Sequence, residues 1–150
     1  MCRIAAQRGA ASGYDASRMS KLDPRRARDT ARNAWQAVSS GNTAALEALC
    51  CEDMVWHAAG RGSHAGDHCG RESVLAFLAG VGEDAQRFDA SLEDVLVGDH
   101  LAALLMRARG RRGERRLETR YVVLLRFENG RIAEAWSIPQ DQHAVDAFWA

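Results

Sequence analysis

Hydrophobic spacing divides this chain into two stretches with different periods. From residue 24, Ala27, Ala31, Ala34, Trp35 and Val38 recur three and four residues apart, the repeat of one helix face. Asp23-Pro24 is a helix-start pair: a carboxylate able to cap, then a residue whose fixed φ suits the first turn. Gly41 stops that helix, and Asn42 caps a second, shorter one carrying Leu46, Leu49 and Cys50. A short strand over 54–58 follows. Next comes a loop punctuated by Gly60, Gly62, Gly66 and Gly70, where the backbone can turn as side chains could not. A third helix presents Val74, Leu75, Leu78 and Val81 with Phe77 beside them, and Gly80 and Gly82 close it.

Beyond residue 87 the period falls to two. Phe88, Ala90 and Leu92 alternate with polar residues, and Val95 and Val97 resume after a bulge expected at Glu93-Asp94. Further strands are predicted over 101–109, 116–127 and 131–138. They are turned at 98–100, 110–113 and Asn129-Gly130, the last a strong two-residue hairpin signal. Leu117, Thr119, Tyr121, Val123, Leu125 and Phe127 share one side of the long strand, leaving Val122 and Leu124 as apolar residues on its charged side. Ile132, Glu134, Trp136 and Ile138 share one side of the last strand. Pro139 ends it, and Asp141 caps a terminal helix with Ala144, Val145, Phe148 and Trp149 on one face. Helices gathered against one face of a curved antiparallel sheet make an α+β fold.

Residues 23–150 read as one domain. Residues 1–22 are rich in Ala, Gly, Ser and Arg, with only Ile4, Tyr14 and Leu22 as larger apolar anchors. They cannot bury enough surface to order themselves and are expected to be a dispensable disordered tail, with Met19 an alternative start.

Composition narrows the function classes. Twenty Lys and Arg balance twenty Asp and Glu, which argues against general binding to nucleic acid or a membrane surface. No apolar run approaches the length of a membrane span, and the start lacks the apolar core of a signal peptide; a cytoplasmic protein is expected. Of the four cysteines, Cys50 and Cys51 are adjacent and no Cys-x-x-Cys occurs. That spacing fits neither a disulfide framework nor a zinc site, so reduced thiols are expected. Seven arginines crowd the hairpin between 107 and 120 without an interleaved aromatic at its tip. They read as a solvated hairpin end.

The candidate chemistry lies in the loop between the first strand and the third helix. Three of the five histidines fall between 57 and 68, and His64, Asp67 and His68 share the glycine-rich loop. Imidazole titrates near neutrality and an adjacent carboxylate can orient it, so His68, oriented by Asp67 and assisted by His64, is the expected acid–base group. The plain alternative is a surface loop with solvated histidines. His64 and His68 stand four apart, a metal-pair spacing only in a helix, which Gly66 and Gly70 disfavour; no metal and no other cofactor is expected. Trp35, Trp56, Phe77, Met106, Tyr121 and Trp136 come from different elements and could line one pocket for a flat apolar ligand. Alternation puts Trp56 on one strand face with Met54 and Ala58, and His57 on the opposite one.

Four stretches carry a family resemblance: Glu52-Asp53-Met54-Val55-Trp56-His57, Ala65-Gly66-Asp67-His68-Cys69-Gly70-Arg71-Glu72-Ser73-Val74, Asn129-Gly130-Arg131-Ile132-Ala133-Glu134-Ala135-Trp136, and Asp141-Gln142-His143-Ala144-Val145-Asp146-Ala147-Phe148-Trp149. With the element order, they resemble the nuclear-transport-factor-2-like cone and its SnoaL-like branch over roughly residues 28–149. The resemblance implies a curved sheet wrapped by three helices around a deep apolar pocket, closed by a short C-terminal helix, in a homodimer paired through the sheet. It also implies polyketide cyclase, ketosteroid isomerase, epoxide hydrolase or plain binding and dimerisation roles. The acids on which those isomerases and cyclases depend fall here near Ala58, Val123 and Trp136-Ser137, none of them a carboxylic acid. Those mechanisms do not transfer directly. The expected function is acid–base cyclisation, isomerisation or a related proton transfer on a hydrophobic carbonyl compound. The alternative is a module that only binds a ligand or dimerises.

Overall fold

The computed structural model describes residue 17 and residues 19–150. The expected tail therefore lies mostly outside the described residues, as does Cys2. Helix α1 (Pro24–Ser39) begins where the sequence places it, because Asp23 Oδ1 accepts the N–H groups of Arg25 and Arg26 at 3.0 and 3.3 Å. It buries Ala27, Thr30, Ala31, Ala34 and Ala37, a stripe of small side chains that brings its axis close to the sheet. Helix α2 (Thr43–Leu49) is capped by Asn42, whose side chain accepts from Ala45 N–H at 3.1 Å. Cys50 has left the helix and opens strand β1 (Cys50–Ala58), four residues earlier than the pattern suggests.

The remaining elements are β2 (Gly66–Cys69), α3 (Arg71–Glu83), β3 (Arg87–Val97), β4 (Leu101–Arg112), β5 (Arg115–Glu128), β6 (Arg131–Pro139) and α4 (Gln142–Trp149). The strands form one sheet in the order β2-β1-β6-β5-β4-β3, in which β3 to β6 are an antiparallel meander. Just before α1, Leu22 N–H donates to the Asp99 carbonyl at 2.8 Å, laying that residue on the β3–β4 turn.

Three features depart from the sequence expectation. The glycine-rich loop contains β2, paired antiparallel to β1 from Val55↔Cys69 to Ala58↔Gly66. Four residues are too few for an alternation to register, and Gly66 (φ +121) and Gly70 (φ +87) bend the chain at both ends. The pairing of β1 with β6 is parallel, so the sheet is not wholly antiparallel. A bulge shifts the β5–β6 register between Arg126 and Phe127. Ile132 and Ala133 are consequently both buried, and Ile132 faces the core while Glu134, Trp136 and Ile138 lie on the outer side. The bulge at Leu92/Asp94 and the Asn129-Gly130 turn, with φ of 49 and 76°, stand where the sequence puts them.

The larger core lies between the concave face of the sheet and α1, α2 and α3, around Met54, Val74, Leu104, Val123, Leu125 and Ala135. A smaller one lies under α4, around Leu117, Val145, Phe148 and Trp149, and Tyr121 packs against both. Gly110 makes room for α4: a Cβ there would lie 2.7 Å from Phe148 Cζ.

Candidate functional site

Between the helices and the concave sheet face lies a cavity of about 460 Å³, within the usual range for small-molecule sites. Strand alternation supplies Met54 and Trp56 from β1, Met106 from β4, and Tyr121, Val123 and Leu125 from β5. Helix α1 adds Trp35, α3 adds Val74, Phe77 and Leu78, and α4 adds Val145 and Trp149. Five of the six expected lining residues, Trp35, Trp56, Phe77, Met106 and Tyr121, therefore meet there. Trp136 does not, because the β6 bulge turns it outward, where it stacks on His57 with ring centroids 5.4 Å apart.

Polar groups on the cavity wall are few. Trp56 Nε1 donates to Ser137 Oγ at 3.0 Å, and Ser137 Oγ donates to the His57 carbonyl at 3.4 Å, so both are engaged. Burial pushes the Tyr121 phenol up to about 12, which keeps it protonated at neutral pH. Among the described residues no group takes its proton.

The three loop residues separate. His64 lines the cavity from the strap of residues 59–65, which is fastened to α4 by three hydrogen bonds. Asp146 Oδ1 accepts Arg61 N–H at 2.8 Å, the Trp149 carbonyl accepts Ser63 N–H at 3.2 Å, and the Ala59 carbonyl accepts from Gln142 Nε2 at 3.2 Å. The His64 ring meets Trp149 edge-on at 4.5 Å. Its Nε2 is buried and 3.0 Å from Asp84 Oδ2, but off the direction of a hydrogen bond, so the contact is an ion-pair approach only. Burial holds the His64 pKa below the ordinary histidine value, with Asp84 pulling the other way. His68 instead lies flat on Phe77 at 4.0 Å, and its Nε2 meets the His64 carbonyl at 3.1 Å, which fixes a proton on that nitrogen. Asp67 does not orient His68. The two point to opposite faces of β2, and Asp67 binds His57.

That second histidine cluster was not legible in the sequence. On the outer sheet face His57 Nδ1 meets Asp67 Oδ1 and Nε2 meets Glu134 Oε1, both at 2.7 Å; Glu134 Oε2 also accepts from Arg126 Nε at 2.9 Å. The Glu134 hydrogen bond raises the His57 pKa, burial opposes it, and Asp67 adds to the rise. A raised pKa means that this stabilisation is fully present below the unfolded value near 6.5 and disappears as pH climbs through the folded one. His57→Gln should thus lower stability by about 1–3 kcal/mol in denaturant titrations at pH 6 and by less at pH 9. Equal losses at the two pH values would show that the imidazolium charge is not involved.

Among the described residues no group of three His, Cys, Asp or Glu side chains could hold a metal ion. Cys50 and Cys51 are free thiols, and burial first, then the neighbouring Cys51, pushes Cys50 up to about 11; Cys69 is disulfide-bonded, against the expectation of reduced thiols.

The cone of helices over a bent sheet, with a cavity between, defines a nuclear-transport-factor-2-like protein. Such a protein from Burkholderia xenovorans superposes with a TM-score of 0.76 at 17% identity, over 86% of this chain and 99% of its own. The family model for the SnoaL-like domain matches residues 31–135, and the chain belongs to that family. Bal32a, from a soil-derived mobile gene cassette, is 31% identical with a TM-score of 0.82, over 86% of this chain and 100% of its own. IdmH from Streptomyces antibioticus, to which a polyketide cyclase role is ascribed, is 25% identical with a TM-score of 0.61, over 75% of this chain and 90% of its own. Among curated proteins none matches. No helix among the described residues is long and apolar enough to cross a membrane.

Proposed function

We propose that the protein is a small-molecule enzyme that moves a proton on a flat, hydrophobic carbonyl compound, in a cyclisation or isomerisation. One observation carries this reading. In an otherwise apolar cavity stand a phenol and an imidazole, Tyr121 and His64, neither of whose side chains makes an aligned hydrogen bond among the described residues. Tyr121 donates its proton in a hydrogen bond to the carbonyl oxygen and holds the enolate as charge develops there. His64 is neutral at pH 7 because its pKa is lowered. It takes the proton from the carbon beside the carbonyl through Nδ1, the nitrogen across the ring from Asp84. The apolar wall keeps water from competing. The likeness to IdmH supports the same reaction class. The test is deuterium exchange at the α-carbon of 2-tetralone in D2O, followed by NMR. The protein should accelerate it well beyond buffer. No acceleration, with binding retained, would leave a ligand-binding module.

A second copy of this chain is the partner we propose, seated on the outer sheet face. In register across that face run Leu96, Ala103, Leu124 and Trp136, with Leu105, Val122 and Ile138 in the adjoining row. Leu96 and Ile138 are 51% and 47% exposed, an apolar area of the kind that marks association. Light scattering should give twice the chain mass of 16.5 kDa, and Leu124→Glu should reduce it to the single-chain value. A wild-type monomer at micromolar concentration would refute the pairing.

A further inference from the structure

We infer that the cavity selects ring systems carrying a positive charge, a protonated amine, over those carrying a carboxylate or phosphate. The inference rests on reading the cavity as a ligand site. Two independent features point to it. The first is charge. None of the described residues lining the cavity is Lys or Arg, whereas Asp89 and Asp146 are among them, and Asp84 stands behind His64. Asp89 is already paired with Arg87, whereas Asp146 makes no side-chain ion pair among the described residues, although the Arg61 charge reaches it, and Asp84 meets only His64. Arg61 N–H, foremost, and then Gln142 hold Asp146 below the usual carboxylate range against slight burial, so it is ionised. Arg112, whose charge reaches His64, is engaged by the carbonyls of Phe148 and Ala150 at 3.4 and 3.0 Å.

The second feature is a continuous run of aromatic rings. Trp56 contacts Phe77 at 5.7 Å, Phe77 contacts His64 at 6.2 Å, His64 contacts Trp149 at 4.5 Å, and Trp149 contacts Phe88 at 5.8 Å. All five line the cavity. Aromatic faces attract a cation through their quadrupole, most strongly where water is excluded. A carboxylate in the same place would lose its hydration, find no Lys or Arg on the described wall and face Asp146. The substrate class consistent with both features is a flat ketone bearing a basic amine. The amine would lie along the rings toward Asp146 and the carbonyl at Tyr121.

Three naphthalene probes of one shape test this: 2-naphthylmethylamine, 2-naphthylmethanol and 2-naphthoate, titrated against the full chain at pH 7 by tryptophan fluorescence and calorimetry. The amine should bind about tenfold more tightly than the alcohol, and the alcohol about tenfold more tightly than the carboxylate. Asp146→Asn keeps an oxygen for Arg61 N–H and should narrow the amine-to-alcohol affinity ratio several-fold, a ratio in which any loss common to both probes through the strap cancels. Three equal affinities, or a carboxylate that binds best, would overturn charge selection while leaving the ligand site standing. Failure of all three probes to bind would overturn the ligand site itself, and the inference with it.

Discussion

Replacing His64 with Gln should slow α-deuterium exchange of 2-tetralone by roughly 10²–10⁴-fold, the usual cost of losing a positioned general base. Gln keeps much of the side-chain volume against Trp149, so 2-naphthylmethanol should still bind within a few-fold of wild type. The pH profile supplies a second readout. Burial, the largest influence on His64, holds its pKa below the ordinary value. Exchange should therefore be undiminished at pH 7 and fall only as pH drops through that depressed value. His68→Gln is the control. His68 sits flat on Phe77 and donates to a backbone carbonyl, so its replacement should change exchange no more than a few-fold. If the His68 variant lost as much as the His64 variant, or the latter lost nothing, the base has been misassigned.

Phe148→Ala should be the most destabilising single truncation in α4, costing about 3–5 kcal/mol. Phe148 is 1% exposed, meets Trp149 edge-on at 4.7 Å, and presses its ring over Gly110, where any other residue would collide with it. Gly110 has no side chain to extend into the space it leaves. For a domain of this size the loss corresponds to a fall of roughly 10 °C in Tm, measurable by calorimetry. A fall of one or two degrees would show that α4 contributes little to holding the fold. Because α4 anchors the strap that carries His64, the same variant should also weaken naphthyl probe binding.

Most of the fold was legible because its elements carry strong periodic patterns with unambiguous ends: Asp23-Pro24 opens α1, Asn129-Gly130 turns β5 into β6, and Pro139 ends β6. What was hidden shares one physical origin. Alternation assigns a face only while the register holds, and a single extra residue reverses everything after it. The bulge opposite Arg126 and Phe127 leaves no mark in the sequence of β6, so Trp136 reads as a cavity residue although it stacks on the outer side. Strand β2 is hidden for a related reason. Its four residues between two glycines show no period, and without it Asp67 reads as the neighbour of His68 rather than the cross-strand partner of His57. The cavity was readable to the extent that it depends on long strands and helix stripes; its polar chemistry depends on the strap and was not.

The parallel pairing of β1 with β6 has a consequence for how the chain assembles. Strands β3 to β6 can zip hairpin by hairpin, each closing only a short loop. The first strand has no comparable local route: Trp56 and Ser137, hydrogen-bonded in the finished sheet, are 81 residues apart. That loop closes at an entropic cost the hairpins never face. The meander is therefore expected to form a platform first, with β1 docking afterwards and bringing β2, the strap and His64 with it. A ribosome must release β6 before the part of the cavity that carries His64 can be completed.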